Sequence, residues 1–214
     1  MRSFPRTTEF NKRIPKQKFY ENMDVSPALK RVFVEQIKLI HWRNKIAPAT
    51  VNIAPGETVN EIEVIEIKLN QQSLDEAVLR QIDKEIPYHI LFVLSFGNKV
   101  QAWTGYKKAT EGGNKAFRVN KYYHTDWMLD DELTLEIEGV NMDAVWENLI
   151  MQVGGVELEQ GNNLDEQIAL EDLKVKLVKD IEKFESQARN EKQPNKKFQL
   201  ASQVKALKKQ LSEL

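Results

Sequence analysis

The sequence predicts an α+β fold: a mainly antiparallel, mixed sheet flanked by helices, followed by a C-terminal helical hairpin or coiled coil. Three observations carry this. Residues 61–69 (EIEVIEIKL) and 88–96 (YHILFVLSF) are apolar runs of strand length separated by a segment of helical period. Gly97-Asn98 then turns the chain directly into a third, alternating run at 99–106. From residue 164 onward the apolar spacing is helical to the end. The expected layout is a basic arm at 1–24, an α+β domain at 25–155 and helices at 164–214.

Taken in order, residues 1–24 contain Pro5 and Pro15 and show no period, so they read as an arm anchored by Phe4, Ile14, Phe19 and Tyr20. Ser26-Pro27 reads as an N-cap followed by Pro at the first helical position. Leu29, Val32, Phe33, Gln36, Ile37, Ile40 and His41 recur at helical steps and predict a helix over 26–45, stopped before Pro48. Residues 50–53 (TVNI) read as a short strand and Pro55-Gly56 as a turn. The alternation of 61–69 slips at Val64-Ile65, so this strand carries a bulge or is buried on both faces. Ser73, with Glu76 three residues on, forms a capping-box pattern for a helix over 74–85, ended by Pro87. Residues 107–114 are a polar loop, and 117–124 and 133–138 read as further strands. Asn141 opens a helix closed by Gly154-Gly155. In the tail, Leu200, Val204, Leu207, Leu211 and Leu214 step by four, three, four and three, a heptad seam, after a break at Gln193-Pro194-Asn195.

The 214 residues carry 31 Lys+Arg against 32 Asp+Glu, so the chain as a whole is no polycation. Its charge is nevertheless blocked. Arg2, Arg6, Lys12, Arg13, Lys16 and Lys18 face one acid, Glu9, in the first twenty residues. Residues 122–173 hold fourteen acids and no Lys or Arg, and the tail is again rich in Lys. Such blocks set where charged partners dock. Cysteine is absent, which excludes disulfide scaffolds, zinc-thiolate and iron–sulfur sites and Cys nucleophiles. It fits a reducing cytosol, and a cytoplasmic location is expected. No secretory pattern opens the sequence and no apolar run approaches the ~20 residues of a membrane span, so no membrane association is expected.

Glu66-Ile67-Lys68 is the first chemical candidate. In a strand, i and i+2 share a face, so Glu66 and Lys68 project together. This arrangement, within a helix–strand–strand–helix–strand order, is similar to PD-(D/E)xK nucleases, in which the acid binds Mg²⁺ and the lysine activates water. No acid stands at 51–53, where the family's other carboxylate belongs, and Glu35, Glu57 and Glu63 are the substitutes on offer. The plainer reading is a cross-strand ion pair. His124 and Asp126, among Tyr122, Tyr123 and Trp127, pair a proton shuttle with an acid but lack a nucleophile elbow, and read better as a packed aromatic edge. His41 and His89 read as core or boundary residues, and three scattered histidines make no zinc motif. Gly112-Gly113-Asn114-Lys115 lacks the P-loop pattern. Arg13, Lys16 and Lys18, interleaved with Phe19 and Tyr20, are candidate nucleic-acid contacts, as are Lys192, Lys196, Lys197, Lys205, Lys208 and Lys209.

Four stretches, 14–20 (IPKQKFY), 26–37 (SPALKRVFVEQI), 86–93 (IPYHILFV) and 121–124 (KYYH), resemble the bacterial family designated domain of unknown function 4391. The resemblance covers nearly the whole chain. It implies a context beside DNA helicases and DNA methyltransferases in restriction-like, phage-defence loci, and it brings no catalytic residues. The leading expectation is therefore an accessory subunit of such a system, acting by protein–protein docking. Glu136, Glu138 and Asp143 of the acidic stretch and Leu200, Val204, Leu207 and Leu211 of the seam are its candidate partner contacts. The alternatives are a metal-dependent nuclease using Glu66 and Lys68, with Glu66 as the metal ligand, and a nucleic-acid binder without chemistry. Mg²⁺ enters only with the nuclease reading; otherwise no cofactor is expected. The seam also makes a homodimer through the C-terminal helices a candidate assembly.

Overall fold

The computed structural model describes residues 4–21, 25–109, 117–155 and 164–214. The chain divides into two compact units, Met1–Val156 and Glu157–Leu214.

The first unit is built on a mixed sheet. Its strands are β1 (Glu9–Ile14), β2 (Ile37–Ile46), β3 (Ile62–Leu69), β4 (His89–Phe96), β5 (Lys99–Ala109) and β6 (Phe117–His124), hydrogen-bonded in that order, with a short β7 (Met128–Leu129) on β5. Every pairing is antiparallel except β3–β4, which is parallel. Parallel neighbours need a crossover, and helix α4 (Glu76–Glu85) supplies it. The other helices of this unit are α1 (Gln17–Glu21), α2 (Pro27–Gln36), the single turn α3 (Pro48–Val51) and α5 (Met142–Gly154).

The alternation of the central strands sorts their side chains onto two layers. Ile65, Ile67, Ile90, Phe92 and Leu94 pack with Phe33 of α2 and Val78, Leu79 and Ile82 of α4. On the other face α5 lies over β5 and β6, and its Val145, Trp146, Leu149 and Ile150 are buried. β3 is buried on both sides over most of its length, as its near-continuous apolar run requires.

Several local expectations are corrected. The segment 26–45 is not one helix: α2 stops at Gln36 and Ile37–Ile46 is a ten-residue strand. Ile37, Ile40 and His41 fit a helical step, but the run 37–46 also suits a half-buried strand, and pairing to β1 and β3 decides it. Ser26 does cap α2, accepting from the Leu29 N–H at 3.2 Å. Residues 50–53 are not a strand. Pro48 starts a helical turn, the Thr50 hydroxyl accepts from the Ala47 N–H at 2.9 Å, and Asn52 ends the turn in the left-handed region. Asp75, not Ser73, caps α4, accepting from the Ala77 N–H at 2.9 Å. Residues 133–138 form no strand; Leu133 and Leu135 are buried as anchors of an extended segment. Residues 9–14, expected in an irregular arm, form the edge strand β1.

The second unit is a helical hairpin, α6 (Leu164–Asn190) and α7 (Pro194–Ser212), turning where Pro194 forbids continuation. Leu200, Val204, Leu207 and Leu211 are the half-buried line of an otherwise exposed α7. Leu177 and Ile181 of α6 are buried, and Glu185 meets Lys208 across the hairpin at 2.7 Å. The heptad seam is thus used within one chain.

Two buried polar features have consequences for stability. Lys107 of β5 and Asp83 of α4 form an ion pair at 2.8 Å with both side chains 1% exposed. Lys107 also donates to the Tyr88 carbonyl at 2.6 Å, and the Tyr122 hydroxyl donates to Asp83. Burial pushes the Asp83 carboxyl up, and Lys107 works against that rise. Lys107→Met strands the carboxylate, and a loss of about 3–5 kcal/mol in urea unfolding is expected; a loss below about 1 kcal/mol contradicts the assignment.

Glu63 of β3 is buried, and Glu61, just before the strand, sets a second carboxyl beside it. Burial first, then the neighbouring Glu61, push its carboxyl from 4.5 up to about 9. The folded chain therefore keeps a proton that the unfolded chain releases above 4.5, and Glu63 makes stability fall as pH rises from 4.5 towards 9. Denaturation of Glu63→Gln across that window is expected to show a smaller loss than the parent; parallel pH profiles contradict it.

Candidate functional site

Glu66 and Lys68 lie on the face of β3 opposite α2 and α4, as the i, i+2 spacing requires. The parallel register sets Glu66 beside Val93 and Lys68 beside Ser95 of β4. His89 shares that face of β4 and packs edge-on against Trp146 of α5 at 5.0 Å between ring centres. α5 therefore covers the amino end of β4 and leaves the carboxyl ends of β3 and β4 open. The result is an open trough of about 870 Å³. Lys38 and Arg43 of β2 and Glu66 and Lys68 of β3 line one side; the Gly97-Asn98 turn and Asp130-Asp131 after β7 line the other. Gly97 has φ 60°, a conformation that favours glycine in this tight turn.

At the trough, Glu66 is 12% exposed and surrounded by donors. Arg43 Nη1 donates to Oε2 at 2.9 Å and Ser95 Oγ donates to Oε1 at 2.9 Å. Lys68 Nζ lies 3.9 Å from Oε1 and His41 Nδ1 4.0 Å from Oε2. Arg13, His41, Glu66 and Val93 stand in one cross-strand register, so they share a face. Arg43 reaches Glu66 through an irregularity in the β2–β3 register between Trp42 and Asn44. Its guanidinium is held by the carboxylate yet stays 36% exposed, and Lys68 is 47% exposed. Such a cation, oriented by a fixed acid and open to solvent, suits an anionic group better than a mobile surface lysine does.

The same geometry bears on a metal. Glu66 brings one carboxylate, already engaged by Arg43 and Ser95. Among the described residues no group of three His, Cys, Asp or Glu could hold a metal ion. The donor set around Glu66 is cationic, which favours an anion over Mg²⁺.

The other sequence candidates are dispersed. Lys16 donates to the Val34 and Ile37 carbonyls at 3.1 and 2.7 Å, satisfying acceptors at the end of α2. It is a helix cap, while Arg13 on β1 and Lys18 on α1 are exposed. Asp143 is no free belt residue. It accepts from the Glu57, Thr58 and Val59 N–H groups at 2.6, 3.1 and 2.8 Å and from the Thr58 hydroxyl at 2.8 Å, clamping the loop before β3 to the start of α5. Burial raises its carboxyl, but these hydrogen bonds outweigh it and hold the group below its usual range. Glu136 and Glu138 are exposed. Leu200, Val204, Leu207 and Leu211 serve the hairpin seam.

Of the histidines, His41 is on a strand and faces Glu66. Burial, reinforced by Lys107, drives His89 from 6.5 down to about 3, so it is neutral in the folded protein. His124 stacks on Trp103 at 4.4 Å and contacts Gln101 at 3.2 Å, a packed aromatic edge; Asp126 lies beyond the strand. Residues 112–115 lie outside the described residues.

Arg43, Lys38, Ser95, Asp130 and Asp131 were missed by sequence reasoning. Arg43 and Lys38 fell inside a predicted helix, and no residue pattern announces a bulge or a crossover register. The one available signal was Lys68, the single basic residue of a strand rich in Ile and Val, two positions from Glu66.

The profile of the family described as domain of unknown function (DUF4391) matches residues 3–211, nearly the whole chain. The chain belongs to that family. No curated protein and no solved structure matches it.

Proposed function

We propose that this member of the domain of unknown function 4391 family is an accessory, nucleic-acid-binding subunit of a DNA-targeting helicase–methyltransferase system. Its own contribution is to hold a nucleic-acid strand by its phosphates in the Glu66 trough. The observation that carries this is Arg43 oriented by Glu66, whose other carboxylate oxygen accepts from Ser95, beside the exposed Lys68 and Lys38 in one concavity. Phosphate contacts of this kind position a strand without reading its sequence. Glu136 and Glu138 remain open for docking to the larger assembly, and reversing both charges is the change that bears on that part of the reading. The implied context beside helicases and methyltransferases supports it.

Fluorescence anisotropy with single-stranded DNA tests the binding reading. Arg43→Gln/Lys68→Gln keeps hydrogen-bonding side chains and is expected to weaken binding and to lower the salt slope by roughly 0.7 for each phosphate no longer neutralised. Unchanged binding in that variant, with loss in Arg13→Gln/Lys18→Gln, moves the interface to β1 and α1. Deleting residues 1–20 is no fair test, because it removes a strand of the sheet.

A second reading keeps Glu66 and Lys68 as a metal-dependent nuclease pair, favoured by their shared face in the trough. It requires Arg43 to release Glu66 when Mg²⁺ binds. It predicts DNA cleavage that depends on Mg²⁺ or Mn²⁺ and is abolished by Glu66→Ala; cleavage surviving in that variant contradicts it.

A further inference from the structure

Glu66 Oε2 has two nitrogen neighbours. Arg43 Nη1 donates to it at 2.9 Å, and His41 Nδ1 lies 4.0 Å away. The second distance is too long for a hydrogen bond, so Arg43 holds this oxygen. The other oxygen, Oε1, accepts from Ser95 at 2.9 Å and has Lys68 Nζ at 3.9 Å. His41 is set against Glu66 by the β2–β3 register and against Arg13 by the β1–β2 register. Its side chain is 24% exposed, so solvent reaches the ring. Histidine is the side chain suited to change charge around neutral pH, and a proton gained makes both ring nitrogens donors. Among the described residues, the charged groups on this face are Arg13 from β1, Glu66 and Lys68 from β3, and Arg43 two positions along β2. Glu66 favours the proton and the three cations oppose it.

With a proton, His41 becomes a second cation for Oε2. The carboxylate is then shared, and the Arg43 guanidinium, already 36% exposed, can turn more of its donors to a ligand. The proton also adds a positive charge beside Arg43 and Lys68. Both effects favour a phosphate. A bound phosphate in turn favours the proton, because coupling between two binding events is reciprocal. We infer that His41 is a positioning residue for Arg43 that makes strand binding in the trough depend on pH: the protonated ring shares the Glu66 carboxylate and frees the guanidinium for a phosphate. This rests on the strand-binding reading and adds to it a proton taken up on binding.

The test is the affinity of the full chain for a fluorescent oligothymidylate, followed by anisotropy from about pH 8 to about pH 5.5 at constant ionic strength. Thymine gains and loses no proton in that range, so the probe itself does not titrate. Binding is expected to tighten roughly five- to tenfold as pH falls. His41→Gln is expected to lose that rise, its affinities at the two ends differing by less than about twofold. His41→Lys, which fixes a positive charge at the same place, is expected to bind tightly at both ends with an equally flat profile. His124→Gln removes the other exposed histidine and is expected to keep the parent's rise. Calorimetry in two buffers of different ionisation heat is expected to show a proton taken up with the oligomer by the parent and not by His41→Gln. A flat parent profile, a rise that survives in both His41 variants, or a rise lost in His124→Gln instead overturns the role of His41. Salt-dependent binding lost in Arg43→Gln/Lys68→Gln would then still stand, which separates the two failures. Absence of binding at every pH overturns both.

Discussion

The parallel pairing of β3 with β4 is the constraint on which the rest of the first unit depends. Among the described strands it is the one parallel pairing, and it obliges the chain to cross over through α4. The crossover helix and α2 cover one face of the sheet. The carboxyl ends of both strands are left side by side on the other, where α5 reaches only part of the surface. Open α/β sheets bind ligands outside the carboxyl ends of their parallel strands for the same geometric reason. Glu66, Lys68 and Ser95 meet there because of register, though Ser95 is far from the other two in sequence.

The trough's electrostatics follow from one largely buried carboxylate. Glu66 accepts from Arg43 and Ser95 and draws Lys68 and His41 to its edge, so the neighbourhood carries more positive charge than negative. The acids that balance it sit beyond β7. The net charge of −1 conceals this local division, as it conceals the blocks along the chain. The four stretches that carry the sequence resemblance do different work. Lys16 caps α2, His89 packs on Trp146 and Tyr122 donates to Asp83. These are contacts that hold the fold, and Lys38, Arg43, Glu66, Lys68, Ser95 and Asp130 all lie outside those stretches.

That division explains what was legible in the residues. The strands 62–69 and 89–96, the Gly97-Asn98 hairpin, the Asn141 cap of α5 and the helical tail announce themselves through local pattern and turn chemistry. The shared face of Glu66 and Lys68 was also visible, since strand alternation is local. Residues 37–46 were not, because Ile37, Ile40 and His41 satisfy a helical step and tertiary pairing overrides it. The placement of Arg43 depends on a register irregularity, and that of Asp130 on a two-residue strand added to β5. Asp143 looked like a belt residue because its partners, the N–H groups of 57–59, lie more than eighty positions away.

Strand binding in the trough is tested most directly by hydrogen–deuterium exchange of the full chain with and without a short single-stranded DNA. Three basic surfaces compete for the strand: the trough, the stretch with Arg13 on β1 and Lys18 on α1, and the lysines of α7. Slowed exchange is expected in peptides covering 38–43, 66–69 and 95–98, with 9–18 and 196–209 unchanged. Protection confined to 9–18 or to 196–209, with the trough peptides unaltered, would contradict binding in the trough.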